Sequence, residues 1–166
     1  MESYSSLFTN ILQRNTPDAI AWITGASTSL KLGGMVRFYG IPLGGIIVNA
    51  EIYGLPDTES APSNFYAMHI HEVGNCTPPF DQTGSHYNPT KSPHPMHAGD
   101  MPPLLSYAGF AWSIFYDGRL RIDDILNRSI IIHSNRDDFT TQPSGDAGQK
   151  IGCGVIEPFH YEKILY

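Results

Sequence analysis

Eight short runs of strand-forming residues separated by Gly, Pro, Asn and Asp clusters constrain this chain more than any other feature: AIAWITG, GMVRFYG, GIIVNAEIYGL, FYAMHIH, AGFAWSIFY, RLRID, SIIIH and GCGVI. Runs of this length with turn punctuation predict an all-β sandwich or barrel. Side chains alternate across a strand, so Val48, Ala50 and Ile52 are expected to face a core while Asn49 and Glu51 face water. Asp117-Gly118 reads as a hairpin turn, because both residue types tolerate positive φ. Ahead of the first run, Leu7, Phe8, Ile11 and Leu12 recur at helical spacing and stop near Asn15-Thr16-Pro17. Residues 1–18 are therefore expected to form an N-terminal extension with a short helix, and residues 19–166 a single β-domain. At 41% hydrophobic residues, 166 residues suffice for one core and not for two large ones. No internal repeat or low-complexity segment is present.

The chemistry lies in the histidines. His69 and His71 flank Ile70 in a strand-like run and so project from one face. His133 closes SIIIH, where a buried strand emerges into polar sequence. His86 sits in GSHYNP, and His94, His97 and Asp100 crowd into the Pro- and Gly-rich loop that follows. Three imidazoles and one carboxylate satisfy the tetrahedral demand of zinc, whereas nitrogen-rich, flattened coordination suits copper. Seven residues fill two four-coordinate sites only if one is shared. Imidazolate has a lone pair on each ring nitrogen, and His86, between the two groups in sequence, is the natural bridge.

These strings together resemble the copper–zinc superoxide dismutase family over about residues 19–156. AMHIHEVGNC is similar to its copper-binding strand with the following cysteine, GSHYNP to its bridging histidine, HAGD to its last two zinc ligands, IIIHSNRDD to its final copper ligand and metal-linking aspartate, and GDAGQKIGCGVI to its closing segment. The resemblance implies an eight-stranded Greek-key barrel of immunoglobulin-like sandwich form. It implies one copper held by His69, His71, His86 and His133, and one zinc held by His86, His94, His97 and Asp100. Asp137 would accept hydrogen bonds from His69 and His94, with Asp138 the weaker candidate. Cys76 and Cys153 would form an intrachain disulfide. The implied reaction is disproportionation of superoxide to dioxygen and hydrogen peroxide, with His86 serving as both ligand and acid.

Two departures from the family pattern stand out. Only Pro95 and Met96 separate His94 from His97, a shorter spacing than in animal members. Lys150 stands where the family usually carries an arginine beside copper, keeping the charge and losing the forked guanidinium. The net charge of −6 repels an anion, so steering must come from local positive potential, with Lys150 first in line. Lys150→Arg is accordingly expected to raise the rate and Lys150→Ala to lower it.

Acidic balance without a basic run argues against a nucleic-acid partner, and no apolar stretch is long enough for a transmembrane helix. The start, Met1-Glu2-Ser3-Tyr4, lacks a basic region, and Leu7 to Leu12 is broken by Thr9 and Asn10. A cytoplasmic location is expected on that ground, although the disulfide would also suit an extracytoplasmic site. A homodimer agrees with the family, but no interface is legible by pattern. His160 lies beyond the matched region and reads as a surface residue. The competing function is a non-catalytic copper- and zinc-binding module of the same fold. Zinc hydrolysis is weaker, since it needs an open coordination position and a general base.

Overall fold

In the computed structural model, which describes residues 3–14, 16–56 and 63–160, the chain forms the strands β1 (Ala19–Gly25), β2 (Gly33–Gly40), β3 (Ile46–Tyr53), β4 (Phe65–Tyr66), β5 (Met68–His71), β6 (Leu104–Leu105), β7 (Phe110–Asp117), β8 (Ser129–His133) and β9 (Lys150–Pro158). All pairings are antiparallel. One sheet has the order β5-β8-β9-β1-β2-β3-β7, and β4 pairs separately with β6. Only Ala67 interrupts β4 and β5, so counting them as one strand gives the eight expected of a Greek-key barrel. After β3 the chain crosses to the far edge to make β5, and β7 returns to pair with β3.

Strand β3 shows how alternation builds the core. Val48, Ala50 and Ile52 are completely buried, in one cluster with Phe38, Met68, Ile70, Ile130 and Ile132. Asn49 departs from the expected exposure, being only 8% accessible. Its Oδ1 accepts a hydrogen bond of 3.0 Å from the Trp112 indole N–H on β7, which roofs this position with an aromatic ring. Buried polar groups persist only when paired in this way.

The eight strands are not all the expected ones. RLRID is no strand: beyond Asp117 the chain turns and enters a single helical turn, α2 (Ile122–Ile125). Asp124 caps that turn by accepting from the Arg121 backbone N–H at 3.1 Å, while Leu120 and Ile125 are drawn into the core. Nor is Asp117-Gly118 a hairpin turn, since neither residue has positive φ. The Asp117 carboxylate instead accepts from the backbone and side chain of Arg119. The missing strand is supplied by Leu104–Leu105, two residues too short to show any periodicity.

The N-terminal helix α1 (Tyr4–Gln13) is present, with Ser3 as its N-cap accepting from the Ser6 N–H at 3.2 Å. Ile11 joins Tyr39, Ile41 and Ile47, with Leu7, Phe8 and Leu12 at the rim. This small cluster lies apart from the main core. The helix thus packs on the barrel through the apolar stripe its spacing predicted. A third cluster of Ala26, Phe80, Ile131 and Cys153 surrounds the Cys76–Cys153 disulfide. Among the described residues no helix is long and apolar enough to cross a membrane.

Candidate metal centre

Strand pairing decides which side chains meet. In β5 and β8, Met68, Ile70, Ile130 and Ile132 point into the core, so alternation turns His69, His71, Ile131 and His133 to the opposite face. His69 stands across from Ile131 and His71 from Ser129. His133 ends its strand at a register shift opposite Lys150. The loop from Glu72 to Pro103 folds over this face, with short bridges pairing His71 with His86 and His69 with Asp100. Every one of the seven predicted ligands is buried.

The side chains form two groups that share His86. One donor atom from each of His69, His71, His86 and His133 lies within 4.8 Å of the others, and the same holds for His86, His94, His97 and Asp100. The Nε2 atoms of His71 and His133 are 3.3 Å apart. In the second group Asp100 is the focus, 2.7 Å from His86 Nδ1, 3.1 Å from His94 Nδ1 and 3.3 Å from His97 Nδ1. The short spacing between His94 and His97 therefore does not keep His94 from this group.

The opposite ring nitrogens are fixed from behind. Asp137 accepts from His69 Nε2 at 2.9 Å and from His94 Nε2 at 2.8 Å, joining the two groups as expected. Carbonyl oxygens can only accept, so His71 Nδ1 donates to Gly84 at 2.8 Å and His133 Nδ1 to Gly148 at 3.4 Å. Each of these four rings thus has one nitrogen engaged outward and leaves its other free to ligate. Among the described residues, the buried side-chain atoms without a hydrogen-bond partner are His69 Nδ1, His86 Nε2 and His94 Nδ1. Two belong to the first group and one to the second. Buried donors this short of partners fit transition metals, and the all-nitrogen first group suits copper while the His/Asp second group suits zinc.

Electrostatics favour the ligating protonation states. Burial pushes His71 down to about 3, and lowers His69 and His133 as well. For Asp100, burial opposes ionisation but is outweighed by the hydrogen bond and charge of His86, by the charge of His94 and by the His97 N–H, so its carboxyl is held low. Asp137 is likewise held low, its burial outweighed by hydrogen bonds from His69, the Phe139 N–H and His94. Asp138 serves its own turn, accepting from Thr141 and the Thr140 N–H.

The first group opens into a cavity of about 610 Å³ lined by His71, His86, His133 and Lys150 among others. Lys150 Nζ donates to Thr83 Oγ1 at 2.8 Å, to the Gly84 carbonyl at 3.2 Å and to that of Phe80 at 3.4 Å. Burial lowers its pKa, partly offset by Asp81. His160 is exposed and belongs to neither group.

Several supporting residues carried no spacing signal. Gln142 grips His94 on both sides, accepting from its N–H at 3.0 Å and donating to its carbonyl at 2.7 Å. Gly145, at φ 68°, lies where any Cβ would collide with Asp137 Oδ1 and come within 2.7 Å of His94 Nε2. Thr83, which anchors Lys150, is completely buried and donates to Phe80 O at 2.8 Å. The glycines in GDAG are the one signal in the sequence that could mark such a close approach.

A Greek-key barrel whose strands and loops together gather two four-ligand groups around a common imidazole defines a binuclear metalloprotein. Comparison with known proteins gives the family: the model for copper/zinc superoxide dismutase matches residues 32–156. The chain belongs to the copper/zinc superoxide dismutase family. It is 31% identical over 137 residues to superoxide dismutase [Cu-Zn] 1 of Aquifex aeolicus, covering 68% of this chain and 73% of the relative. It is 32% identical over 149 residues to superoxide dismutase [Cu-Zn] of Deinococcus radiodurans, covering 76% and 78%. Among solved structures, the clock protein EA4 superimposes with a TM-score of 0.73 over 87% of this chain and 96% of the other at 24% identity, a likeness of fold.

Proposed function

We propose that this chain disproportionates superoxide, two anions and two protons giving dioxygen and hydrogen peroxide. Copper would be held by His69, His71, His86 and His133, and zinc by His86, His94, His97 and Asp100. The carrying observation is His86, whose Nδ1 lies at Asp100 while its buried Nε2 has no partner. When bound, copper supplies a reversible one-electron couple and zinc a fixed positive charge beside it.

The protein's part is orientation and proton handling. His86 Nε2 is the atom able to hold the proton that peroxide needs, and Asp100 keeps its ring aligned. Asp137 fixes His69 and His94 together, so the two halves of the site keep one geometry. Lys150 has three acceptors for its three ammonium protons, so it acts on an incoming anion through charge and not by donating a hydrogen bond. In a chain of net charge −6 that local charge draws superoxide to the cavity.

Pulse radiolysis tests the reading. Protein loaded with copper and zinc should remove superoxide catalytically, and zinc-only protein should be inert. A fully loaded protein that leaves superoxide decay unchanged overturns the proposal and leaves a metal-binding module of the same fold. Lys150→Ala is expected to lower kcat/KM by about tenfold and flatten its dependence on ionic strength. Lys150→Arg should raise it, because a guanidinium can satisfy the same acceptors and keep donors for the anion. Equal rates for all three proteins would remove Lys150 from the path.

A further inference from the structure

We propose that Arg119 is a positioning residue for the zinc ligands, holding the backbone of His97 and Asp100 so that both side chains stay aimed into the second group. Its Nη1 donates to the His97 carbonyl at 2.9 Å and its Nη2 to the Asp100 carbonyl at 2.7 Å. The fork is itself fixed by Asp117, which accepts from Nε at 3.1 Å and from Nη2 at 2.7 Å. Asp117 is a buried carboxylate at the end of β7, paired across the sheet with Ile46. Arg119 therefore ties a loop to a strand, its in-plane N–H donors divided between the Asp117 carboxylate on the barrel and the carbonyls of the ligand segment.

Elsewhere the segment is tied to β5 and to its own loop, the Gly99 carbonyl accepting from the Ile70 N–H at 2.9 Å and the Gly99 N–H donating to the Tyr87 carbonyl at 2.8 Å, whereas Arg119 links it to the end of β7. His97 and Asp100 bond to each other, through Asp100 Oδ2 to the His97 N–H at 2.9 Å and the Asp100 N–H to the His97 carbonyl at 3.1 Å. Those contacts close a turn and say nothing of where the turn sits against β7. His69, His71 and His133, by contrast, are placed by strands. Loss of Arg119 should thus loosen one metal and spare the other. A lysine cannot take its place, having a single nitrogen where the site uses three.

The role rests on the assignment of zinc to the second group, and not on turnover. The test uses protein carrying both metals, titrated with a chromogenic zinc chelator while copper retention is followed in parallel. Arg119→Met should weaken zinc binding by about 10–100-fold with copper unchanged, and Arg119→Lys should recover only a small part. Cobalt placed in the zinc site should show a shifted ligand-field spectrum in both variants. Arg37→Met is the control, since it removes another arginine–carboxylate contact of 2.7 Å, to Glu51 between β2 and β3, and should leave zinc binding and the cobalt spectrum intact. Unchanged zinc affinity and spectrum in Arg119→Met overturn the role, as does an equal loss of zinc and copper, which would mark general destabilisation. Wild-type protein that takes up no zinc would instead overturn the ligand assignment, and Arg119's role with it.

Discussion

Stripping both metals should lower the melting temperature by about 20 °C or more. Structural zinc contributes on the order of 10 kcal/mol to the folding of small zinc domains, and in a chain of this size each kcal/mol moves the midpoint by about 2–4 °C. Without metal, His69 Nδ1, His86 Nε2 and His94 Nδ1 remain buried with no hydrogen-bond partner, at a cost of about 1–3 kcal/mol each. The metal-free protein should also lose stability on acidification. Burial holds His71 down to about 3 against an ordinary value of 6.5, so the unfolded chain takes up its proton first. The contribution is complete above pH 6.5 and is lost as pH falls toward 3. His69 and His133 shift in the same direction and steepen the loss. Scanning calorimetry of metal-free and copper–zinc protein across this range checks both points. Coincident transitions would count against the assigned sites, and a flat pH profile would count against neutral buried imidazoles.

The ligands were legible because metal chemistry restricts residue type and strands restrict spacing. His69 and His71 had to share a face once their run was a strand, and Met68 and Ile70 occupy the other. Asp137 was reached through the family resemblance, and the structure places it between His69 and His94. What stayed hidden depends on backbone groups and tertiary approach. The carbonyls of Gly84 and Gly148 orient His71 and His133, and a carbonyl belongs to every residue alike. Gln142 and Arg119 act on loop backbone far away in sequence, so no period or motif marks them. In RLRID, residues that can form a strand were claimed by a buried Leu120, an Asp124 cap and an arginine needed elsewhere. Tertiary demand outweighed local propensity there.

Opening the Cys76–Cys153 disulfide should be the next largest perturbation, and it should reach the site as well as the fold. The cysteines are 77 residues apart in sequence, and by the chain-entropy model closing such a loop contributes about 4–5 kcal/mol. The expected fall in melting temperature is therefore about 10–15 °C for metal-loaded protein. Cys153 lies on β9 in a cluster with Phe80 and Ile131, while Cys76 begins the segment that carries Phe80, Thr83 and Gly84. Those three residues supply every acceptor for Lys150, and Gly84 also orients His71. A slack segment should thus reduce kcat/KM and flatten its ionic-strength dependence, as Lys150→Ala does, through displaced charge instead of lost charge. Cys76→Ser with Cys153→Ala avoids a buried hydroxyl and keeps the comparison clean, with calorimetry and pulse radiolysis as readouts. If that variant melts with the parent, the bridge does not restrain the fold. If it is destabilised yet retains the parent's salt dependence, the segment holds its place beside Lys150 through the packing of Phe80 and hydrogen bonds such as that from the Val73 N–H to the Thr83 carbonyl at 3.0 Å.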